Sequence, residues 1–383
     1  MARKKLKIFI DGEVLTMPHF SGVGHYTLEL VRALDRQLES QRDITVYLGV
    51  YFKHIKRAQS FNLKHIKIVP TPFSLRISNG LKIRNKQPPL DLIFGKRVYL
   101  FPNFSSWPLA RSKSLSIVYD LSYEKYPQYA EPRNQAFLSS EVKKTAQRSS
   151  RILTISENSK KEIADFYDVP LNSIDVLYPA VDTSLFYRRG AAEIAKVMKR
   201  YRLEENYILF VGNIEPRKNL KNLLLAYEKM NEGTKRKHPL VLVGAKGWQD
   251  EEIHAIIQRL TKKGDRVIQP SEYVVDENLP ALYSGAALFV YPSMYEGFGI
   301  PPLEAMACGV PVISSDNSSL PEAVGNAGIL VDALSVTGIA KAIESTLSDT
   351  RLQKKLLKRG PAQVAKFSWD DSALKLIHAA RSL

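Results

Sequence analysis

The stretch Tyr291–Ser315, YPSMYEGFGIPPLEAMACGVPVISS, places Glu296 and Glu304 on either side of a Gly-Phe-Gly turn and a Pro-Pro pair. A carboxylate at Glu296 can accept hydrogen bonds from sugar hydroxyls. Gly297, Phe298 and Gly299 bring backbone N–H groups close to a ligand, since glycine leaves the approach open. Ile300 and the prolines open a short helix that Gly309 stops, and a helix start carries partial positive charge suited to phosphate. Glu304, about one helical turn in, lies within reach of a diol such as that of ribose. Charge, glycine loop, helix start and charge suit a sugar, a diphosphate and a nucleoside laid in that order. The plain alternative is a strand-to-helix turn with a glutamate on the helix dipole, Cys308 being packing.

A second constellation is FVGNIEPRKNLKNLL, residues 210–224. A strand ends at Val211, Gly212 and Asn213 follow, and Arg217-Lys218 stand before the next helix. Two cations at a carboxyl strand end can neutralise a diphosphate leaving group; elsewhere such a pair is a solvated corner. A third, SGVGHYT at 21–27, offers Gly22 and Gly24 at a helix start, suited to a phosphate or an acceptor. Thr27 stands where the dinucleotide fingerprint needs its third glycine, so that motif is incomplete. His25 and Tyr26 read equally as helix packing. In the fourth, Tyr119-Asp120 ends a strand, and Asp120 either orients a hydroxyl or caps the following turn, the cap reading coming first. No compact histidine spacing, Asp-x-Asp pair, nucleophile elbow or P-loop occurs, so metal and P-loop chemistry lose support.

These residues need strand ends to sit on. Apolar runs LKIFID, ITVYLGV, IKIVP, RVYLFP, LSIVYD, RILTISE and IDVLYP alternate with helical stretches through the first half. The helix after the first strand carries Leu28, Val31, Leu34 and Leu38 at helical spacing. The rhythm restarts with YILFVG, PLVLVG, DRVIQP, ALFVYP and PVISS. Strand alternating with helix predicts mostly parallel sheets covered on both faces. Two such series in 383 residues predict an α/β protein of two doubly wound domains, 1–185 and 190–365. The segment from about 366 to 383 reads as an amphipathic helix.

The lone cysteine, Cys308, excludes a disulfide framework and a cysteine-rich metal site. The N-terminus lacks a signal-peptide core, and no stretch reaches the roughly 18 apolar residues of a membrane span, so a cytoplasmic protein is expected. The formal net charge of +16 is uneven, with 30 Lys+Arg against 17 Asp+Glu in residues 1–190. From Lys53 to Arg97, 11 basic residues accompany one acid, Asp91. Such a face attracts anionic lipid, a phosphorylated ligand or nucleic acid, or simply keeps the protein dissolved.

Taken together, SGVGHYTLELVRAL, ISENSKKEIADFY, VLYPAVDTSLF, FVGNIEPRKNL, the long segment from Ser271 to Ser315 and LPEAVGNAGILVD resemble the retaining GT-B glycosyltransferases of family 4, also called group 1. The resemblance spans nearly the whole chain, and the Glu-x7-Glu element around Gly-Phe-Gly is its most specific part. It implies two Rossmann-like domains facing across a cleft, acceptor on the first and nucleotide sugar on the second, with the C-terminal helix packing back on the first. Arg217 and Lys218 would grip the diphosphate, beside Gly212 and Asn213, and Glu304 the ribose. Glu296 would hold the donor sugar, helped by Gly297, Phe298, Gly299 and Ile300. The base would lie near Tyr273 and Val274, and Gly22 and Gly24 would border phosphate and acceptor. Many members have His-Asp where this chain has Tyr119-Asp120, and that histidine lies near the donor sugar and the reacting bond, so Tyr119 and Asp120 are carried over as catalytic-site residues. Tyrosine donates a hydrogen bond but carries no positive charge near neutral pH. The implied reaction is metal-independent transfer with anomeric retention. It needs no cofactor beyond the nucleotide sugar as substrate, GDP-mannose first or a UDP-sugar, and its acceptor is a saccharide or lipid-linked hydroxyl. The basic first domain then suits peripheral contact with an anionic membrane, with no nucleic-acid partner. A nucleotide-sugar epimerase, a phosphorylase and a basic binding protein are the competing expectations.

Overall fold

The computed structural model describes residues 5–17, 20–84, 86–245, 247 and 249–383. The chain forms two compact units, one of Met1–Glu124, Pro132–Pro179 and Ser368–Leu383, the other of Lys125–Glu131 and Ala180–Phe367. The change of unit thus falls at Pro179 and Ala180, a few residues before the position read from the sequence. Packing explains it: Phe186 is buried with its ring 6.1 Å from that of Tyr283, and the Arg189 N–H donates to Ser284 Oγ at 3.0 Å.

Among the described residues, the first unit holds a seven-stranded parallel sheet. Its strands are β1 (Leu6–Asp11), β2 (Ile44–Tyr51), β3 (Lys67–Thr71), β4 (Val98–Phe101), β5 (Lys113–Ile117), β6 (Arg151–Thr154) and β7 (Ile174–Val176). They lie in the order β3-β2-β1-β4-β5-β6-β7. The helix Gly22–Gln37 buries Leu28, Val31, Leu34 and Leu38, the face its spacing predicts. The terminal helix Trp369–Arg381 packs beside it within this unit. Trp369 meets Tyr26 edge-on at 5.0 Å, Asp370 pairs with Arg36 at 2.9 Å, and Ser372 Oγ donates to the Tyr178 carbonyl at 2.6 Å.

The second unit holds a six-stranded parallel sheet in the order β10-β9-β8-β11-β12-β13. Its strands are β8 (Tyr207–Val211), β9 (Leu240–Val243), β10 (Val267–Ile268), β11 (Ala286–Tyr291), β12 (Val312–Ser315) and β13 (Ile329–Val331). Strands β8 and β9 are apolar along their length because helices cover both faces of a parallel sheet. The short edge strand β13 is the one strand absent from the strand reading. In both sheets the strand order reverses beside the unit's first strand, between β1 and β4 and between β8 and β11. Open α/β sheets bind ligands outside the carboxyl ends of the strands at such points.

Candidate functional site

At the reversal point of the second sheet, the loops leaving β8 and β11 are stitched together by main chain and side chain. The Met294 N–H donates to the Arg217 carbonyl at 2.9 Å. Asn219 adopts the left-handed conformation, φ 59° and ψ 32°, which asparagine tolerates. Its amide donates to the Pro292 carbonyl at 2.9 Å and the Ala333 carbonyl at 2.7 Å. Those bonds end the Pro216–Lys218 turn and present its two cations to the loop that carries Glu296.

Lys218 Nζ donates to Glu296 Oε1 at 2.6 Å and to the Tyr291 hydroxyl at 2.7 Å. The Tyr291 hydroxyl in turn donates to Glu296 Oε1 at 3.0 Å, which closes a triangle. Arg217 donates to Glu296 Oε2 at 3.1 Å, to the Tyr295 carbonyl at 2.8 Å and to Glu215 Oε1 at 2.8 Å. Lys218 and Glu296 are 9% and 8% exposed, so this is a buried charge cluster rather than a surface pair. Burial alone would raise the Glu296 carboxyl, but Lys218 and then Arg217 outweigh it and hold it at about 2. The same burial lowers the Lys218 ammonium, with Glu296 opposing.

The glycine loop continues from this cluster. Ser319 Oγ donates to the carbonyls of Glu296 at 2.6 Å and Phe298 at 3.1 Å, while the Glu296 N–H donates to Ser318 Oγ at 3.0 Å. Phe298 turns its ring onto Phe367, edge-on at 5.0 Å, so only its main chain can serve a ligand. Gly299 sits at φ 127°, and a Cβ there would come within 2.8 Å of Leu320. It precedes the helix Ile300–Ala307, which half-buried Ile300 opens. Glu304 accepts from the Tyr283 hydroxyl at 2.8 Å. Burial, with Asp276 adding and that bond opposing, pushes its carboxyl up to about 7. Tyr273 and Val274 line a cavity of about 100 Å³ with Leu242, Gly244, Gln269 and Glu272, at the carboxyl end of β9. Gly212 and exposed Asn213 lead out of β8 between these groups.

In the first unit, Gly22 and Gly24 do open the helix Gly22–Gln37, after Ser21. A Cβ on Gly22 would meet nothing within 4 Å, whereas one on Gly24 would press on Phe20 at 3.0 Å. Tyr119 follows β5. It is 5% exposed, packed at 5.1 Å against both Tyr26 and Phe104, and its hydroxyl donates to the Pro102 carbonyl at 2.8 Å. That bond engages the hydroxyl with the chain's own backbone. Asp120 accepts from the Ser122 N–H at 2.8 Å, the capping role its position suggested.

Three groups escaped the sequence reading. Glu215 and Tyr291 complete the Arg217–Lys218–Glu296 cluster, and only the pairing of β8 with β11 brings them there. At the reversal point of the first sheet, buried Glu13 and Lys82 stand with Asp11, and Lys82 donates to Ser105 Oγ at 2.8 Å. Burial, aided by the Asp11 charge and opposed by Lys82, pushes the Glu13 carboxyl up to about 8. The glycines of VGAKG are the legible signal for the third: a Cβ on Gly244 would collide with the Gly212 carbonyl.

Residues 193–363 match the family described as glycosyl transferases group 1. The chain is 33% identical to the O-antigen chain mannosyltransferase B of Escherichia coli, over 99% of this chain and 100% of that one. Among solved structures, sucrose-phosphate synthase from Thermosynechococcus elongatus superposes with a TM-score of 0.69 at 19% identity, over 99% of each chain. Anabaena HepE, solved in complex with UDP and glucose, does so with a TM-score of 0.69 at 15% identity, over 100% of each chain. The fold is therefore of the GT-B type, with two Rossmann-like units.

Proposed function

The chain belongs to the group 1 glycosyltransferases, and from that premise we propose that it transfers mannose from a nucleotide sugar, GDP-mannose first, to a saccharide or lipid-linked hydroxyl in the assembly of a cell-surface polysaccharide. The observation that carries this reading is the Arg217–Lys218–Glu296 cluster at the reversal point of the second sheet, continuous with the Gly297–Gly299 loop. In this reading the cations meet the diphosphate, the loop supplies main chain, and Glu304, one turn into the next helix, takes the ribose. The mannose assignment draws support from the name of the E. coli relative.

In this mechanism the acceptor oxygen bonds to the anomeric carbon on the face from which the diphosphate departs. The glycosidic C–O bond to phosphate breaks, and the acceptor proton passes to a leaving-group oxygen, so configuration is retained. Arg217 and Lys218 stabilise the charge that grows on the leaving group, the position where fixed electrostatics lowers a barrier most. They supply that charge from side chains, and the reaction is accordingly assigned no metal. A calorimetric screen of UDP-, GDP- and ADP-sugars tests the reading. Binding and transfer with GDP-mannose and an oligosaccharide acceptor are expected, and failure of every nucleotide sugar to bind would sink it.

Glu304 accepts from the ribose diol in this reading, which makes donor affinity depend on its ionisation. Its carboxyl titrates near 7, so the acceptor form is lost as pH falls through neutrality. Between pH 7.5 and 5.5 the donor dissociation constant should rise, approaching about tenfold per unit at the acid end. Glu304→Gln should flatten that profile; an unchanged slope in the variant would remove Glu304 from the ribose.

No described helix is long and apolar enough to cross a membrane. Contact with an anionic membrane at the cytoplasmic face is assigned to the basic stretch from Lys53 to Arg97, where Ile83, Arg84 and Leu92 are exposed. Retention on anionic vesicles at low salt is the readout, and its absence would remove the contact.

A further inference from the structure

The cations that the proposed function gives to the diphosphate are already held by carboxylates of this chain. Arg217 is shared between Glu296 and Glu215, and Lys218 is bound to Glu296. Two carboxylates face two cations, so the four groups are neutral as a set. A carboxylate offers about four acceptor positions, and Lys218, Tyr291 and Arg217 already direct hydrogens at Glu296. A phosphate that draws the two cations to itself therefore takes them from Glu296. Glu296 is 8% exposed, and a buried carboxylate stripped of its partners is costly.

What arrives with the phosphate decides whether that cost is offset. A nucleotide sugar brings hydroxyls that can donate to the released carboxylate. A bare nucleoside diphosphate brings none, and its terminal phosphate ionises with a pKa of about 6, adding a further negative charge beside Glu296. We infer that Glu296, beyond touching the sugar, discriminates the nucleotide-sugar substrate from the nucleoside diphosphate product by exchanging its cations for sugar hydroxyls. Glu215 pairs with Arg217 and not with Lys218, and sets only the background charge. The discrimination favours product departure after transfer, and it rests on the donor-site reading given above.

Calorimetric titration of the full chain with GDP and with GDP-mannose tests this, using UDP and UDP-glucose if the guanosine pair does not bind. Glu296→Gln keeps the shape and removes the charge. It should bind the bare diphosphate about tenfold more tightly while binding the sugar nucleotide no more tightly than wild type. Glu215→Gln should tighten both ligands. Unchanged or weaker diphosphate binding by folded Glu296→Gln overturns the inference and leaves Glu296 an anchor for Arg217 and Lys218. A measurement on the unmodified chain stands if that variant fails to fold. The methyl ester of GDP matches the donor's charge and lacks its hydroxyls; it should bind at least about tenfold more weakly than GDP-mannose, and equal affinity overturns the inference. If the wild-type chain binds none of these nucleotides, the donor-site reading itself falls, a result distinct from either of the others.

Discussion

Lys218→Ala is expected to lower the rate of sugar transfer about 100- to 1000-fold, with the loss in kcat rather than in donor affinity alone. Lys218 is buried at the end of the Pro216–Lys218 turn, with its ammonium fixed by Glu296 at 2.6 Å and Tyr291 at 2.7 Å. Those bonds hold the ammonium at the site, and the diphosphate takes the place of Glu296 beside it when the donor binds. Once it is on the diphosphate, a cation at a buried site is already in place when charge develops on the departing oxygen, which is why its removal should appear in the chemical step. The fold should survive, because Arg217 and the Tyr291 hydroxyl still satisfy Glu296. The comparison needs steady-state kinetics together with a melting curve. Near-normal transfer by a stably folded Lys218→Ala chain would show that the leaving group is stabilised elsewhere.

Gly244→Ala should destabilise the second unit by about 3 kcal/mol and lower its melting temperature by roughly 6–12 °C. Strands β8 and β9 remain paired past their formal ends: Gly212 N–H donates to the Val243 carbonyl and Ile214 N–H to the Ala245 carbonyl, each at 2.9 Å. A Cβ on Gly244 would overlap the Gly212 carbonyl oxygen and lie 2.6 Å from its carbon, and both are backbone atoms that cannot rotate aside. The strands must part at their carboxyl ends, which displaces the loop leading to Arg217 and Lys218. Loss of donor binding should therefore accompany the loss of stability. Gly22→Ala is the control, since its Cβ enters open space and should shift the melting temperature by no more than about 1 °C. Equal melting of the two variants would contradict the close approach of β8 and β9.

Much of the architecture was legible because parallel strands buried on both faces are written as continuous apolar runs. ITVYLGV and YILFVG announce themselves, whereas the three residues of β13 do not. The Arg-Lys pair and the glycine turn were legible for a different reason: each is a local device, a few residues placed between a strand and a helix. Tyr119 shows where local reading stops. It follows a strand as the other site candidates do, and the helix Gly22–Gln37 brings Tyr26 and Thr27 against it, contacts that its own segment does not announce. Glu215 and Tyr291 show the reverse, for neither stands out in its own segment.

The order of strand, glycine loop, helix start and glutamate in Tyr291–Ser315 is determined by the sequence, because backbone reach and helix polarity act over a few residues. What that stretch faces is a tertiary matter. Arg217 and Glu296 are 79 positions apart and meet because β8 and β11 are neighbours in the sheet. Strand order depends on how whole helices pack across both faces, which no single segment encodes. The sequence marked two carboxylates and two cations as ligand groups. Only the folded sheet showed that the first carboxylate already holds both cations.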